Sequence, residues 1–366
     1  MNILYYLTAH GYGHAVRSCA ICNEFSRDVR VIFRTLIPRK FFEEEVDRPF
    51  GYFPGQFDCG CIQSDSVTVD QEKTLPTYMK IAQRNEAGLD NEAEWCFTHH
   101  IDGIVSDIVP YAFEVARRAS LPSIAVTNFT WYDIYEPYVK DYPAFQPCLH
   151  KMREQYKMAD LLLELMPSSG MPYFRNRLNV SLVGRTGKGI RDRLKNKLGL
   201  AREKQIALIY LGEFGMDGIP WKNLEKFKDW DFMGIYPIPG EPANYHLVKK
   251  EDFPYQDLVA SAEVMISKIG YGVFSECPLN GTPLIYLPRE DFAEYPVLEK
   301  AIIEWGHGFC LSRDDYCSLN WEKALEELLL RKRPRPHRSD GPRICAREIE
   351  KIIGCGCPTA RTNTRR

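Results

Sequence analysis

Residues 261–288 constrain the fold more than any other stretch of this chain. Val264-Met265-Ile266 leads into Lys268-Ile269-Gly270-Tyr271-Gly272, and a helix-like segment begins near Val273. Gly281-Thr282-Pro283 then returns the chain to a second apolar run, Leu284-Ile285-Tyr286-Leu287. Strand, glycine loop, helix and parallel strand make a compact βαβ unit. Glycines between a strand end and a helix start let backbone N–H groups approach an anion closely, and the helix N-terminus favours its charge. Glu276 falls one turn into the helix, where a carboxylate can reach a sugar hydroxyl. The pattern predicts a nucleotide site with a second wall supplied by the rest of the chain. On spacing alone it fits equally an ordinary βα turn of a doubly wound domain.

The chain opens with the same construction. A strand over Asn2–Thr8 ends in His10-Gly11-Tyr12-Gly13-His14; Ala15, Val16, Cys19, Ala20 and Phe25 follow at helical spacing, then a strand over 29–33. Strands at 101–107, 123–128 and 160–165 alternate with helices at 78–100, 110–119 and 142–159. That is an α/β domain whose ligands lie beyond the carboxyl ends of its strands. Residues 167–190 are rich in Pro, Gly, Ser and Asn and read as the passage between domains. A second alternating run follows, with strands at 205–212, 232–235, 264–266, 284–287 and 308–311. A chain of 366 residues suits two domains. The predicted division is 1–166 for a first Rossmann-like domain, 167–335 for a second, a helix within 336–353, and a disordered tail over 354–366.

Charge narrows the partners. The 47 basic and 49 acidic residues leave a net charge of −2, so nothing global asks for nucleic acid or a membrane surface. The basic run Arg331–Arg338 reads as a solvated connection rather than a phosphate patch. No apolar stretch approaches the roughly 20 residues of a membrane span, and Met1–Leu7, which has no basic leader, reads as a first strand of a cytoplasmic protein. The twelve cysteines have neither disulfide-scaffold nor zinc-site spacing, so buried thiols and no metal are expected.

Four segments together resemble one family: Tyr5 through His14, Val105-Ser106-Asp107-Ile108-Val109-Pro110, Val126 through Trp131, and Lys268 through Glu276. They are similar to GT-B glycosyltransferases, including the peptidoglycan N-acetylglucosaminyltransferase and the plant and antibiotic UDP-glycosyltransferases. A closer resemblance is to the glycosyltransferase-like N-terminal region of plant L-arabinokinases. It covers nearly the whole chain and implies two Rossmann-like domains facing each other across a cleft. The implied activity is inverting, metal-independent transfer of a sugar from a nucleotide-sugar, UDP-linked in the first instance, to an unknown acceptor. The nucleotide-sugar is a co-substrate, and no further cofactor is implied. No galactokinase-type ATP loop appears in the sequence, so sugar phosphorylation is not implied.

The same resemblance implies roles. His14 occupies the place of a catalytic base and Asp107 that of the acid orienting it; His10 is a second candidate. A histidine suits this task because its pKa lies near neutrality. The plainer readings are a His bonded only to the glycine loop and an Asp acting as a helix N-cap. For the donor, backbone N–H groups of Gly270, Tyr271 and Gly272 would hold the diphosphate, with Gly212 opposite and Lys268 as a point charge. Ser275 would lie near the phosphates and Glu276 would take the ribose hydroxyls. Asp291 and Glu294 stand where many relatives carry an acid–amide pair on the donor sugar; the pair itself is not present, so the sugar is not carried over. On the acceptor side stand Gly11, Tyr12, Gly13, Asn128 and Trp131. Arg17 joins them as either a phosphate or carboxylate contact or an exposed helix arginine. Phe129, Trp131, Tyr132 and Tyr135 offer rings for stacking, with at least two expected to be packed. Two other functions stay open: a UDP-sugar 2-epimerase type of enzyme and a non-enzymatic nucleotide-sugar sensor or regulator.

Overall fold

The structure, a computed structural model, describes residues 1–63, 68–211, 218–289 and 292–356. It divides into two compact units. The first gathers Met1–Ile62, Asp70–Val183 and the chain from Asp340; the second is Gly184–Ser339 together with Gln63 and Val69.

The first unit runs β1 (Asn2–Leu7), α1 (Tyr12–Cys22), β2 (Arg30–Thr35), α2 (Arg39–Glu45), β3 (Phe50–Pro54), α3 (Gln71–Ala87) and α4 (Leu89–Thr98). It continues with β4 (Gly103–Asp107), α5 (Tyr111–Ala119), β5 (Ser123–Thr127), α6 (Trp131–Tyr135), α7 (Gln146–Tyr156), β6 (Leu161–Leu165) and β7 (Arg177–Val180). Every strand pairing is parallel, in the order β3-β2-β1-β4-β5-β6-β7. Ile3 through Leu7 are all buried, as a strand covered on both faces requires. The order reverses between β1 and β4, where Leu7 lies opposite Asp107. Loops leaving the two strands at such a switch point part from each other and leave a crevice at their carboxyl ends.

Helical periodicity over 78–100 resolves into two helices broken at Gly88, which ends one and starts the next. The passage expected from residue 167 contains a strand: β7 extends β6, and Met166 N donates to Val180 O at 2.9 Å. The first unit therefore continues to Val183 instead of closing at 166. The strand escaped sequence reading because Arg177, Leu178 and Asn179 are exposed on this sheet edge and show no apolar alternation.

The second unit runs α8 (Arg191–Leu198), β8 (Gln205–Tyr210), β9 (Trp230–Gly234), β10 (Tyr245–Leu247), α9 (Tyr255–Ser261) and β11 (Val264–Lys268). Then come α10 (Tyr271–Asn280), β12 (Leu284–Leu287), α11 (Tyr295–Trp305), β13 (Gly308–Cys310), α12 (Arg313–Cys317) and α13 (Glu322–Leu330). Its parallel sheet has the order β10-β9-β8-β11-β12-β13, with the switch point between β8 and β11. One face is filled by Trp221, Phe227, Phe232 and Trp321. The predicted βαβ unit is β11–α10–β12.

The last helix, α14 (Gly341–Gly356), rejoins the first unit and packs on α1. Cys345, Ala346, Ile349 and Ile353 are buried along one stripe, at the three- and four-residue spacing of an amphipathic helix. Gly103 makes room for it: a Cβ there would stand 2.6 Å from Ile353 Cγ1. This helix is thus neither a separate element confined to 336–353 nor followed by a tail at 354, because its last turn reaches 356. The remainder of the expected tail, 357–366, lies outside the described residues. Among the described residues no helix is long and apolar enough to cross a membrane.

If α14 is integral to the first unit, Ile353→Ala should cost about 2–4 kcal/mol of its stability through lost burial and a residual cavity. Urea unfolding read by first-unit fluorescence checks this; an unchanged midpoint would show that the helix is dispensable.

Candidate active site

The first unit places its charged groups at the β1/β4 switch point. Gly11, with φ of 75°, turns the chain from β1 into α1. One turn later His14 and Arg17, three residues apart and hence on one helix face, meet Asp107 at the end of β4. His14 Nδ1 lies 2.9 Å from Asp107 Oδ1. Arg17 grips the same carboxylate with Nε on Oδ2 at 2.7 Å and Nη2 on Oδ1 at 2.5 Å, and Ser18 Oγ donates to Oδ2 at 3.1 Å. Arg17 also donates from Nη1 to Asn128 Oδ1 at 2.6 Å. Arg17 and Asp107 are buried, and His14 is only 8% exposed. Burial pushes the Asp107 carboxyl up, but the charges and hydrogen bonds of Arg17 and His14 outweigh it and bring its pKa down to about 2.

The backbone beyond Asp107 is held in a strained turn. Ile108 has φ of 79°, a left-handed conformation costing a β-branched residue on the order of 1–3 kcal/mol. Tyr156 Oη donates to Ile108 O at 2.6 Å and Ser106 Oγ to Val109 O at 2.8 Å, and these bonds hold the turn. Tyr156 Oη also accepts from Trp131 N at 3.2 Å, which joins the loops after β4 and β5.

In the tautomer that carries its proton on Nδ1, His14 donates to Asp107 and Nε2 is the basic nitrogen. Arg17 Nη2 approaches the same Nδ1 at 3.0 Å. The guanidinium therefore competes with the ring for the carboxylate. Sequence reading did not foresee this arrangement.

Three residues expected to meet an acceptor are sealed inside. Arg17 is neither a ligand contact nor an exposed helix arginine, since its N–H groups are spent on Asp107, Asn128 and Thr127. Asn128 is buried with its carbonyl on Arg17, and Trp131 is fully buried with Nε1 donating at 2.8 Å to Asp58 Oδ2. Phe129 and Tyr135 are also buried; only Tyr132 keeps part of its ring exposed. Gly11 and Gly13 are exposed, and Tyr12 is half-buried against Phe41 at 5.0 Å. His10 is half-buried, edge-on to Trp131 at 5.3 Å, and its Nδ1 accepts from Cys61 N at 3.3 Å.

Asp58 is the residue that sequence reading missed. It comes from the connection between β3 and α3, and an acid just before Cys59-Gly60-Cys61 was its only signal. Gly60 has φ of 57° and packs so tightly on His10 that a Cβ would lie 2.3 Å from His10 Cβ. That close approach brings the preceding Asp58 inward, where it accepts from Thr8 Oγ1 at 2.9 Å and from Trp131. Burial raises its pKa to about 6 against these two hydrogen bonds, with the negative Asp107 adding to the rise.

In the second unit, Gly270 precedes α10 in an extended conformation, and the space where a Cβ would stand is open. Tyr271 is buried, and Gly272 and Lys268 are half-buried. Glu276 is 3% exposed, and its Oε1 accepts from Arg185 Nε at 2.6 Å. Ser275, expected beside phosphates, is instead fully buried with Oγ donating to Gly272 O at 3.1 Å. Glu294 is buried at the head of α11, where its carbonyl accepts from Val297 and Leu298. Gly212 and Asp291 lie outside the described residues. Among the described residues no group of three or more His, Cys, Asp or Glu side chains could hold a metal ion.

Two parallel sheets, each wound with helices about a switch point, make the GT-B fold of two Rossmann-like units. The solved calicheamicin glycosyltransferase is similar over 97% of this chain and 99% of its own, with a TM-score of 0.66 and 18% identity. A Phytolacca americana UGT complexed with UDP-2-fluoro-glucose and pterostilbene covers 97% and 94% at a TM-score of 0.60 and 12% identity. A putative UDP-N-acetylglucosamine 2-epimerase from Listeria monocytogenes covers 96% and 95% at 0.57 and 14%. In sequence the chain is 29% identical over 364 residues to an L-arabinokinase of Arabidopsis thaliana. That match takes in 96% of this chain but 34% of the relative, so the chain spans about a third of that protein's length. No protein-family profile matches.

Asp58 yields a pH test. Its folded pKa of about 6 exceeds the ordinary 3.8, so the folded state binds this proton more tightly than the unfolded chain. Stability from the group is full below about pH 4 and is lost as pH rises through 6, amounting to about 3 kcal/mol. Asp107 acts in the opposite sense, and its contribution is lost only as pH falls from the ordinary 3.8 through about 2. Between pH 4 and 7 wild type should therefore lose stability relative to Asp58→Asn. Parallel pH-dependent melting curves for the two proteins would contradict the assignment.

Proposed function

We propose that the protein is a glycosyltransferase that moves a sugar from a nucleoside-diphosphate sugar, UDP-linked in the first instance, to an acceptor hydroxyl with inversion at the anomeric carbon. The observation that carries this is His14, held through Nδ1 by a buried, ionised Asp107 at the carboxyl end of β4. In the reaction the acceptor oxygen attacks the anomeric carbon while the bond from that carbon to the diphosphate oxygen breaks. The acceptor proton passes to His14 Nε2. The departing diphosphate carries new negative charge, which the open N-terminus of α10 and the backbone N–H groups after Gly270 would meet without a metal. Glu276 would accept from the ribose hydroxyls, and Lys268 would add positive charge. Gly11, Tyr12 and Gly13, with His10, would border the acceptor.

One observation supports a second reading. Arg17 holds both oxygens of Asp107 and stands 3.0 Å from His14 Nδ1, so the carboxylate's support is shared between the guanidinium and the ring. A nucleotide-sugar sensor without turnover has no need of that support. The likeness to a putative 2-epimerase adds a third outcome, in which the sugar is altered without an acceptor.

A single experiment separates them. UDP or a UDP-sugar at 100 times its Kd should raise stability by about 2.7 kcal/mol. Under an acceptor screen, His14→Ala should reduce transfer by about 10²–10⁴-fold while leaving donor affinity within about twofold. Donor binding with no turnover in either protein would favour the sensor, and an altered sugar without acceptor the epimerase. No stabilisation by any common nucleotide or nucleotide-sugar would reject all three.

A further inference from the structure

Arg185 has no part in the sequence argument, yet it is built into the second unit's site. Its Nε donates to Glu276 Oε1 at 2.6 Å, and its guanidinium lies over the Tyr255 ring at 5.2 Å. The segment bearing it is fastened to α10 by one side chain: Asn280 Nδ2 donates to Arg185 O at 3.1 Å, and Asn280 Oδ1 accepts from Gly187 N at 2.7 Å. The preceding Gly184 is pressed onto the same helix, where a Cβ would stand 2.8 Å from Ser275 Oγ. With Asn280 and Glu276 both buried, this is a fixed mount rather than a loose surface ion pair.

A carboxylate 3% exposed must be compensated, and a planar guanidinium compensates it with direction as well as charge. Arg185 engages one carboxylate oxygen, which fixes the plane of the group and so the direction of the other. Beside the pair, the Tyr255 hydroxyl is buried with no hydrogen-bond partner among the described residues. Both charges act on that hydroxyl, Glu276 raising its pKa and Arg185 lowering it, while burial is the largest cause of its rise. A buried hydroxyl without a partner, on the ring that the guanidinium covers, marks a place where water or a ligand atom completes the bonding.

We propose that Arg185 is a positioning residue of the nucleotide site: by holding Glu276 Oε1 it directs Oε2 to the ribose hydroxyls and makes the site selective for ribonucleoside over 2′-deoxyribonucleoside diphosphates. This rests on the reading of the second unit as the donor site. The mechanism is one of geometry. A carboxylate free to rotate can turn to the 3′-hydroxyl that both sugars carry, whereas one fixed on the 2′-hydroxyl loses its bond when that group is missing.

Titration calorimetry with UDP and 2′-deoxy-UDP on the full chain tests it. Wild type should prefer UDP by about tenfold or more, the factor of one hydrogen bond to a charged group. In Arg185→Gln the preference should shrink to about twofold, chiefly through weaker UDP binding, and Arg185→Lys should fall between because it restores charge without the planar fork. A variant that weakens both ligands equally and keeps the ratio would overturn the proposal, leaving Arg185 a structural clamp. Wild-type binding of UDP with no ribose preference would also overturn it while leaving the donor site standing. Failure of wild type to bind either nucleotide would remove both. If Arg185→Gln does not give a wild-type melting transition, the ratio in Arg185→Lys decides: a wild-type ratio rejects the proposal and a reduced one supports it.

Discussion

A guanidinium and a carboxylate enclosed in one interior govern what the first unit can do. Arg17 and Asp107 are removed from water together, and each would be costly to bury alone. Their bond ties α1 to the end of β4, and the contact of Arg17 with Asn128 extends the tie to the loop after β5. His14 takes its orientation from the same carboxylate. The strained turn at Ile108 and the Tyr156 bridge keep that carboxylate in place. Breaking the pair would disturb the helix, two strand ends and the candidate base at once.

The second unit repeats this device with different parts. Glu276 follows its sheet's switch point one turn into a helix, as His14 and Arg17 do in the first unit, and it too is neutralised by an arginine. In both units the arginine comes from far earlier in the chain, 91 residues before Glu276 and 90 before Asp107. A carboxylate close to a strand's carboxyl end can be kept ionised and directional at low solvent exposure only with such a partner. Both units meet the same electrostatic requirement, and it accounts for two arginines that would otherwise pass as ordinary charged residues.

Much of this architecture was legible from local pattern. Continuous apolar runs separated by helical periodicity announced doubly wound sheets, and glycines after β1 and β11 marked the turns where a ligand can be approached. The edge strand β7 was not legible, because its exposed residues carry no apolar period. The return of α14 to the first unit was hidden as well, since an amphipathic stripe states that a face is covered but not by what. At the site, His14, Asp107 and Glu276 stood out by position. Trp131, Asn128 and Ser275 were assigned to ligands through the resemblance, and each proved to be buried against a neighbour within the protein.

The amino-acid order by itself determined the alternation of strands and helices, the glycine turns and the residue types at the ends of β1, β4 and β11. These follow from backbone periodicity and steric freedom, which act over a few residues. Only the tertiary structure decided the pairings: Arg17 on Asp107, Trp131 on Asp58, Arg185 on Glu276. Those partners lie 90, 73 and 91 residues apart in the chain. Burial and charge compensation are properties of such long-range contacts, so whether a polar side chain faces a ligand or completes the interior is settled when the sheets assemble.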